Sequence, residues 1–189
     1  LVQMAIIHAQ FEIIHPFIDG NGRIGRILIP LYLHEKELLD APIFYMSEYL
    51  EEHRETYIGK LRDIGTDPDS WFKWISFFLE ALEHQANVNT EKARGIIHMS
   101  DEYKLRVGVI TRSQFAVPLL DQIFQRPIFR STNLQFPPDQ SPSRQAVASL
   151  LKVLSKEGIL TIIREGSGSR PNIYAFSDLI NLCEGRDVV

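Results

Sequence analysis

The run His15-Pro16-Phe17-Ile18-Asp19-Gly20-Asn21-Gly22-Arg23-Ile24-Gly25-Arg26 decides how the rest of this chain is read. It separates two apolar patterns of helical period. Met4, Ile6, Ile7, Phe11, Ile13 and Ile14 precede it, and Ile24, Ile27, Leu28, Leu31 and Leu33 follow, so the segment reads as helix, short loop, helix. Gly20 and Gly22 admit backbone angles closed to other residues and leave the amides at the start of the second helix bare. Such amides, with a helix dipole behind them, attract an anion. Arg23 and Arg26 add two guanidinium forks about one turn apart. Asp19 suits a divalent cation, because Mg²⁺ takes one or two carboxylates together with phosphate oxygens. His15, whose ordinary pKa lies near neutrality, can accept a proton from a hydroxyl. An anion cradle, a metal carboxylate and a base in one short segment point to phosphoryl or nucleotidyl transfer.

These residues resemble the signature of the Fic family, H-x-F-x-D/E-G-N-G-R-x-x-R, with every specified position matched by His15 to Arg26. The resemblance implies a helical fold and transfer of AMP from Mg·ATP to a Ser, Thr or Tyr hydroxyl of a target protein. It makes His15 the base, Phe17 an anchor for the loop and Asp19 the Mg²⁺ ligand. Gly20, Asn21 and Gly22 would receive the α- and β-phosphates, Arg23 the β-phosphate region and Arg26 the γ-phosphate, with Gly25 counted among the nucleotide-binding positions. The related Doc branch, which phosphorylates its target, carries Lys where this chain has Gly22, so the resemblance favours adenylyl transfer. Arg54 and Tyr57 resemble an R-x-x-Y element that follows the signature, whose tyrosine lines the nucleotide pocket. Core packing is the competing expectation for Tyr57.

Composition sets outer limits. With 189 residues, a net charge of −4 and one cysteine, Cys183, the chain fits one or two small domains in a reducing compartment, with the cytoplasm as the default. No long uncharged apolar run or signal peptide is visible, which argues against a membrane role. The start at Leu1, inside an apolar helical pattern, reads as that of a fragment. Fic proteins resemble one another in a β-hairpin flap upstream of the signature, and many carry an inhibitory helix of pattern S/T-x-x-x-E-G/N. Thr161 to Gly166 matches that string, but Ile162 and Ile163 beside Thr161 read as a strand, so the match is rejected. Glu12 and His15 have the Glu-x-x-His spacing of a di-iron bundle, with His8 one turn earlier, but no second such pair exists.

Downstream, Pro30 should bend or end the second helix. Ser47 is a candidate cap for a helix carrying Leu50, Tyr57, Leu61 and Ile64, and Asp69 or Ser70 for one with Trp71, Phe72, Trp74, Ile75, Phe78, Leu79 and Leu82 inward. The polar stretch Glu83 to Arg94 can continue that helix towards Leu105. Phe115 to Phe124 is amphipathic, a break runs through Pro137 and Pro138, and Ser143 to Lys156 is a helix with Ala146, Val147, Leu150, Leu151 and Leu154 inward, closed by Gly158. Ile159 to Arg164 and Asn172 to Phe176 then make a hairpin around Glu165 to Arg170. This C-terminal part looks like a winged helix, with Arg144, Gln145 and Lys152 on its recognition helix and Arg164 and Arg170 at its wing.

The expected fold is mainly α: a Fic-type helical bundle over residues 1–105, followed by a small α+β winged-helix domain over 106–189. The expected function is Mg²⁺-dependent adenylyl transfer, with ATP as co-substrate and a target protein hydroxyl as acceptor; a homodimer is compatible with it. The alternatives are a nucleotide-sensing regulator that reads DNA through the winged helix, another nucleotide as donor, or removal of AMP. DNA is the weaker partner reading, because basic residues outnumber acidic ones only slightly beyond Arg106.

Overall fold

The computed structural model describes residues 1–137, 141–167 and 170–189. Eight α-helices and three short strands are present among the described residues, and the chain is mainly α with a small α+β part. It divides into two compact units, Leu1–Glu91 and Lys92–Val189. The boundary falls inside one long helix rather than near residue 105, because Ile96, Met99, Tyr103 and Val107 pack into the second core.

In the first unit, α1 (Val2–Ile14) and α2 (Asn21–Glu35) form a helical pair. Their buried faces follow the two apolar patterns only at Met4 and Leu33. Met4, Ala5, His8 and Ala9 of α1 are buried, as are Asn21, Gly25, Ile29 and Leu33 of α2. Ile13, Ile14, Ile27 and Leu31 stay exposed. Small residues at four-residue spacing let the two backbones approach, and that closeness outweighs the larger apolar area elsewhere on each helix. Pro30 does not end α2, which continues to Glu35; the missing N–H leaves the Arg26 carbonyl without its usual helical donor.

The expected helix from Ser47 is two helices, α3 (Ser47–Glu52) and α4 (Arg54–Asp63), broken at His53. Ser47 is the first residue of α3 and caps nothing by its side chain; Met46 holds the cap position. Ser70 opens α5 (Ser70–Thr111) and ties the preceding loop instead, accepting from the Gly65 amide and donating to the Asp67 carbonyl. On α5, Trp74, Phe77, Phe78, Ala81 and Leu82 enter the first core, while Phe72 points to solvent. The Trp74 indole N–H donates to the Ala5 carbonyl at 2.8 Å, which fixes α5 against α1 without leaving that buried donor unpaired.

The second unit holds the end of α5, α6 (Ala116–Gln125), β1 (Ile128–Arg130), α7 (Arg144–Lys156), β2 (Thr161–Arg164), β3 (Ile173–Ala175) and α8 (Ser177–Glu184). The strands form an antiparallel sheet in the order β1-β3-β2. Ser143 caps α7 by accepting from the Ala146 amide, and Leu150, Leu151 and Leu154 are its buried face. Gly158 follows α7 with φ +73°, the left-handed position a helix exit requires. Thr161–Arg164 is a strand, as expected. Pro138 in the expected break, and Gly168 and Ser169 in the expected hairpin turn, lie outside the described residues.

Candidate active site

The loop between α1 and α2 is held by one side chain. Asn21 is buried; its Oδ1 accepts from the Phe17 amide at 2.9 Å and its Nδ2 donates to the Phe17 carbonyl at 2.6 Å. This pair closes the bend from His15 to Gly20 on itself. Gly20 then enters α2 at φ +86°, and its carbonyl receives the first helical bond, from Ile24. The amides of Asn21, Gly22 and Arg23 precede that bond and are the unpaired donors of the helix start. Gly22 is helical rather than left-handed. Its missing side chain serves another purpose, since a Cβ there would lie 3.3 Å from an Arg26 nitrogen.

His15 terminates α1 in the left-handed region at φ 50° and is exposed. Its Nδ1 lies 3.3 Å from the Glu12 carbonyl, which can only accept, so Nδ1 carries the proton and Nε2 is left as a free basic nitrogen. Phe17 is not a core anchor: it is half exposed and touches Phe11 only at a ring separation of 6.4 Å. The loop is anchored through the Phe17 backbone instead.

His15, Gly22, Arg26 and Tyr57 line one cleft of about 350 Å³, together with Glu12, Ser47, Leu50, Glu51, Arg54, Ile58 and Leu61. The lining sets two arginines, Arg26 and Arg54, and two glutamates, Glu12 and Glu51, beside the aliphatic Leu50, Ile58 and Leu61. Asp19 and Arg23 stand outside that lining on the exposed side of the loop, paired at 3.2 Å, and the Asp19 carboxylate also accepts from the Gly20 amide. Gly25 is buried between the helices, where an added Cβ would run into the Glu12 carboxylate.

Three residues carry more of the site than their sequence reading suggested. His8 is fully buried; its Nδ1 donates to the Gly25 carbonyl at 3.1 Å, which leaves Nε2 to accept the Tyr57 hydroxyl at 3.0 Å. Burial lowers its pKa to about 4, so the imidazole is neutral at physiological pH. Tyr57 is itself buried, its hydroxyl pKa raised by desolvation, so it belongs both to the core and to the cleft wall. Glu12 has one carboxylate oxygen, Oε1, shut from solvent with no hydrogen-bond partner, and burial raises its pKa. The signal for His8 and Glu12 was present: positions 8, 12 and 15 fall on one helical face.

A helix start with free amides, Arg26 and an imidazole along one cleft can hold an anion beside a proton acceptor. Residues 1–33 match the Fic/DOC family. Over 86 residues, 44% of this chain, the sequence is 47% identical to a probable protein adenylyltransferase of Aquifex aeolicus (strain VF5), and it spans 26% of that relative's length. The N-terminal segment is thus similar to the Fic/DOC family.

Proposed function

We propose that this chain carries the catalytic centre of a protein adenylyltransferase, transferring AMP from ATP to a Ser, Thr or Tyr hydroxyl of a target protein. The observation that carries the reading is His15, with Nδ1 tied to the Glu12 carbonyl and Nε2 free, in one cleft with Gly22 and Arg26. In this reading the phosphates lie across the α2 amides and the guanidinium of Arg26, and the base lies towards Leu50, Tyr57, Ile58 and Leu61. His15 Nε2 takes the proton as the target oxygen bonds to the α-phosphorus; the bond from that phosphorus to the bridging oxygen breaks and pyrophosphate leaves. The helix start and Arg26 hold charge in place without having to reorganise.

Asp19 fits Mg²⁺ as a single, exposed carboxylate, the remaining ligands being triphosphate oxygens and water. Its Arg23 contact would have to open for that, an adjustment between two exposed groups that costs little. Bound there, Mg²⁺ would neutralise charge on the leaving pyrophosphate. We propose a cytoplasmic activity, a reading that the lone cysteine and an ATP donor support. No helix among the described residues is long and apolar enough to cross a membrane.

A second reading, a DNA-reading regulator, is favoured by one observation. Arg130, Arg164 and Arg170 line a cleft of about 280 Å³ with Ile173, and β1 and β2 pair Arg130 and Arg164 on either side of that isoleucine. With α7 before the strand pair, we read this part as a winged helix. Salt-dependent retention on duplex DNA tests it.

The adenylylation reading is tested by incubating the protein with α-labelled ATP, Mg²⁺ and a cell extract. Label should pass to protein with the wild type and not with His15→Ala, which should still bind ATP. Equal labelling by the variant would remove His15 from the role of base.

A further inference from the structure

We infer that Glu12 is a nucleotide-contacting residue that works in its neutral form: occupation of the cleft by a nucleoside triphosphate is accompanied by uptake of one proton from solvent onto the Glu12 carboxyl, which then faces the phosphates as a hydrogen-bond donor. The inference rests on the nucleotide reading of the cleft and adds a residue and a proton to it.

The argument starts from packing. The carboxyl lies against the bare backbone of Gly25, so close that a Cβ there would overlap it, and its Oε1 has neither solvent nor a donor. The same side chain lines the cleft beside His15, Gly22 and Arg26. A carboxylate half withdrawn from water and missing a partner is a costly place to keep a negative charge. Arg26 from α2, and His15 from α1 whenever its imidazole is protonated, offset that charge and favour the ionised form. The other groups around it offer less. His8 on α1 is neutral, Tyr57 on α4 is a buried phenol, and Arg54 of α4 is paired with Glu51 of α3 at the cleft mouth.

A triphosphate reverses this balance. It engages Arg26 and brings several negative charges alongside the carboxylate, so both the compensation and the desolvation now favour protonation. Burial already raises the pKa of Glu12, and the incoming anion acts in the same direction. The neutral acid removes the anion–anion repulsion and turns an acceptor into a donor at the surface the phosphates meet.

Calorimetric titration of the chain with Mg²⁺ and α,β-methylene-ATP, near pH 6 to 7 and in buffers of different ionisation enthalpy, reads the proton directly. Wild type should show net uptake approaching one proton per nucleotide, and its affinity should rise by up to about tenfold per unit fall in pH while Glu12 is ionised in the free protein. Glu12→Gln should bind with no uptake and a flat pH profile. Equal uptake in both proteins would put the proton on His15 or on the phosphates and overturn the proposal, as would wild-type binding without uptake. Absence of binding in both overturns the nucleotide reading itself, a distinguishable failure. Should the variant not fold, ¹³C-labelled glutamate in the wild type gives the same answer: the Glu12 carboxyl resonance must move to its neutral position when nucleotide is added at fixed pH, and a resonance that stays ionised refutes the idea.

Discussion

The Tyr57 hydroxyl donates to His8 Nε2 across 3.0 Å, and the other nitrogen of the same imidazole donates to the carbonyl of Gly25. One neutral ring therefore joins the cleft wall on α4 to the helix that starts at the signature loop. Tyr57→Phe keeps the wall and deletes the donor, leaving a buried imidazole nitrogen unpaired. The expected result is a loss of about 1–3 kcal/mol in stability, measured by denaturant unfolding, with nucleotide affinity changed less than about threefold. A large loss of affinity with unchanged stability would mean that the hydroxyl, rather than the ring, meets the ligand.

The same imidazole makes stability depend on acid. Its folded pKa, about 4, lies below the ordinary value of 6.5, so the unfolded chain takes up a proton that the native state refuses. The stabilisation is complete above pH 6.5 and is lost as pH falls towards 4, to a total of about 3 kcal/mol. Both tryptophans, Trp71 and Trp74, lie in the first unit, and Trp74 stacks on His8, so their fluorescence reports its unfolding. His8→Gln, which does not titrate, should flatten the slope across that window.

The signature loop was legible because its residue types are set by chemistry and stand close together in sequence. Less could be read wherever a backbone contact or a distant partner decides. The inward faces of α1 and α2 could not be read from apolar spacing, because Ala5, Ala9 and Gly25 attract attention by no side chain, yet they line the buried face around His8. Strand β1 went unread for another reason. Three residues after Pro127 carry little pattern, and the strand that pairs with them begins only at Ile173. The break at His53 divides what the apolar spacing presented as one helix, and no proline or glycine marks it. Phe17, apolar and inside the signature, looked like an anchor; the hydrogen bonds that hold the loop run through its backbone.

Gly25 tests the close approach. Ala is ordinarily the better helix residue by nearly 1 kcal/mol, yet at this position a Cβ would collide with the Glu12 carboxylate. Gly25→Ala should therefore forfeit that gain and destabilise by up to about 1 kcal/mol, because the Glu12 carboxylate must swing away and buried His8 must give slightly. Adding Glu12→Ala should restore much of the loss, and a double-mutant cycle should show coupling well above the additivity error. Additive effects would mean that the two residues do not meet.

Asn21 separates the shape of the loop from the charge of the site. Its two hydrogen bonds to the Phe17 backbone fix the bend that carries His15, while the amides of the α2 start belong to the helix and need no side chain. Asn21→Ala should leave nucleotide affinity nearly intact and lower the transfer rate by roughly tenfold or more, because the base is no longer held over the acceptor oxygen. Asn21→Asp keeps the acceptor for the Phe17 amide but places a negative charge at the helix end where the phosphates are to bind. Its expected defect is the reverse: nucleotide affinity falls, and it falls less at high salt, where the added repulsion is screened. If both substitutions change affinity and rate alike, the side chain acts on the fold as a whole and the separation of roles drawn for this loop fails.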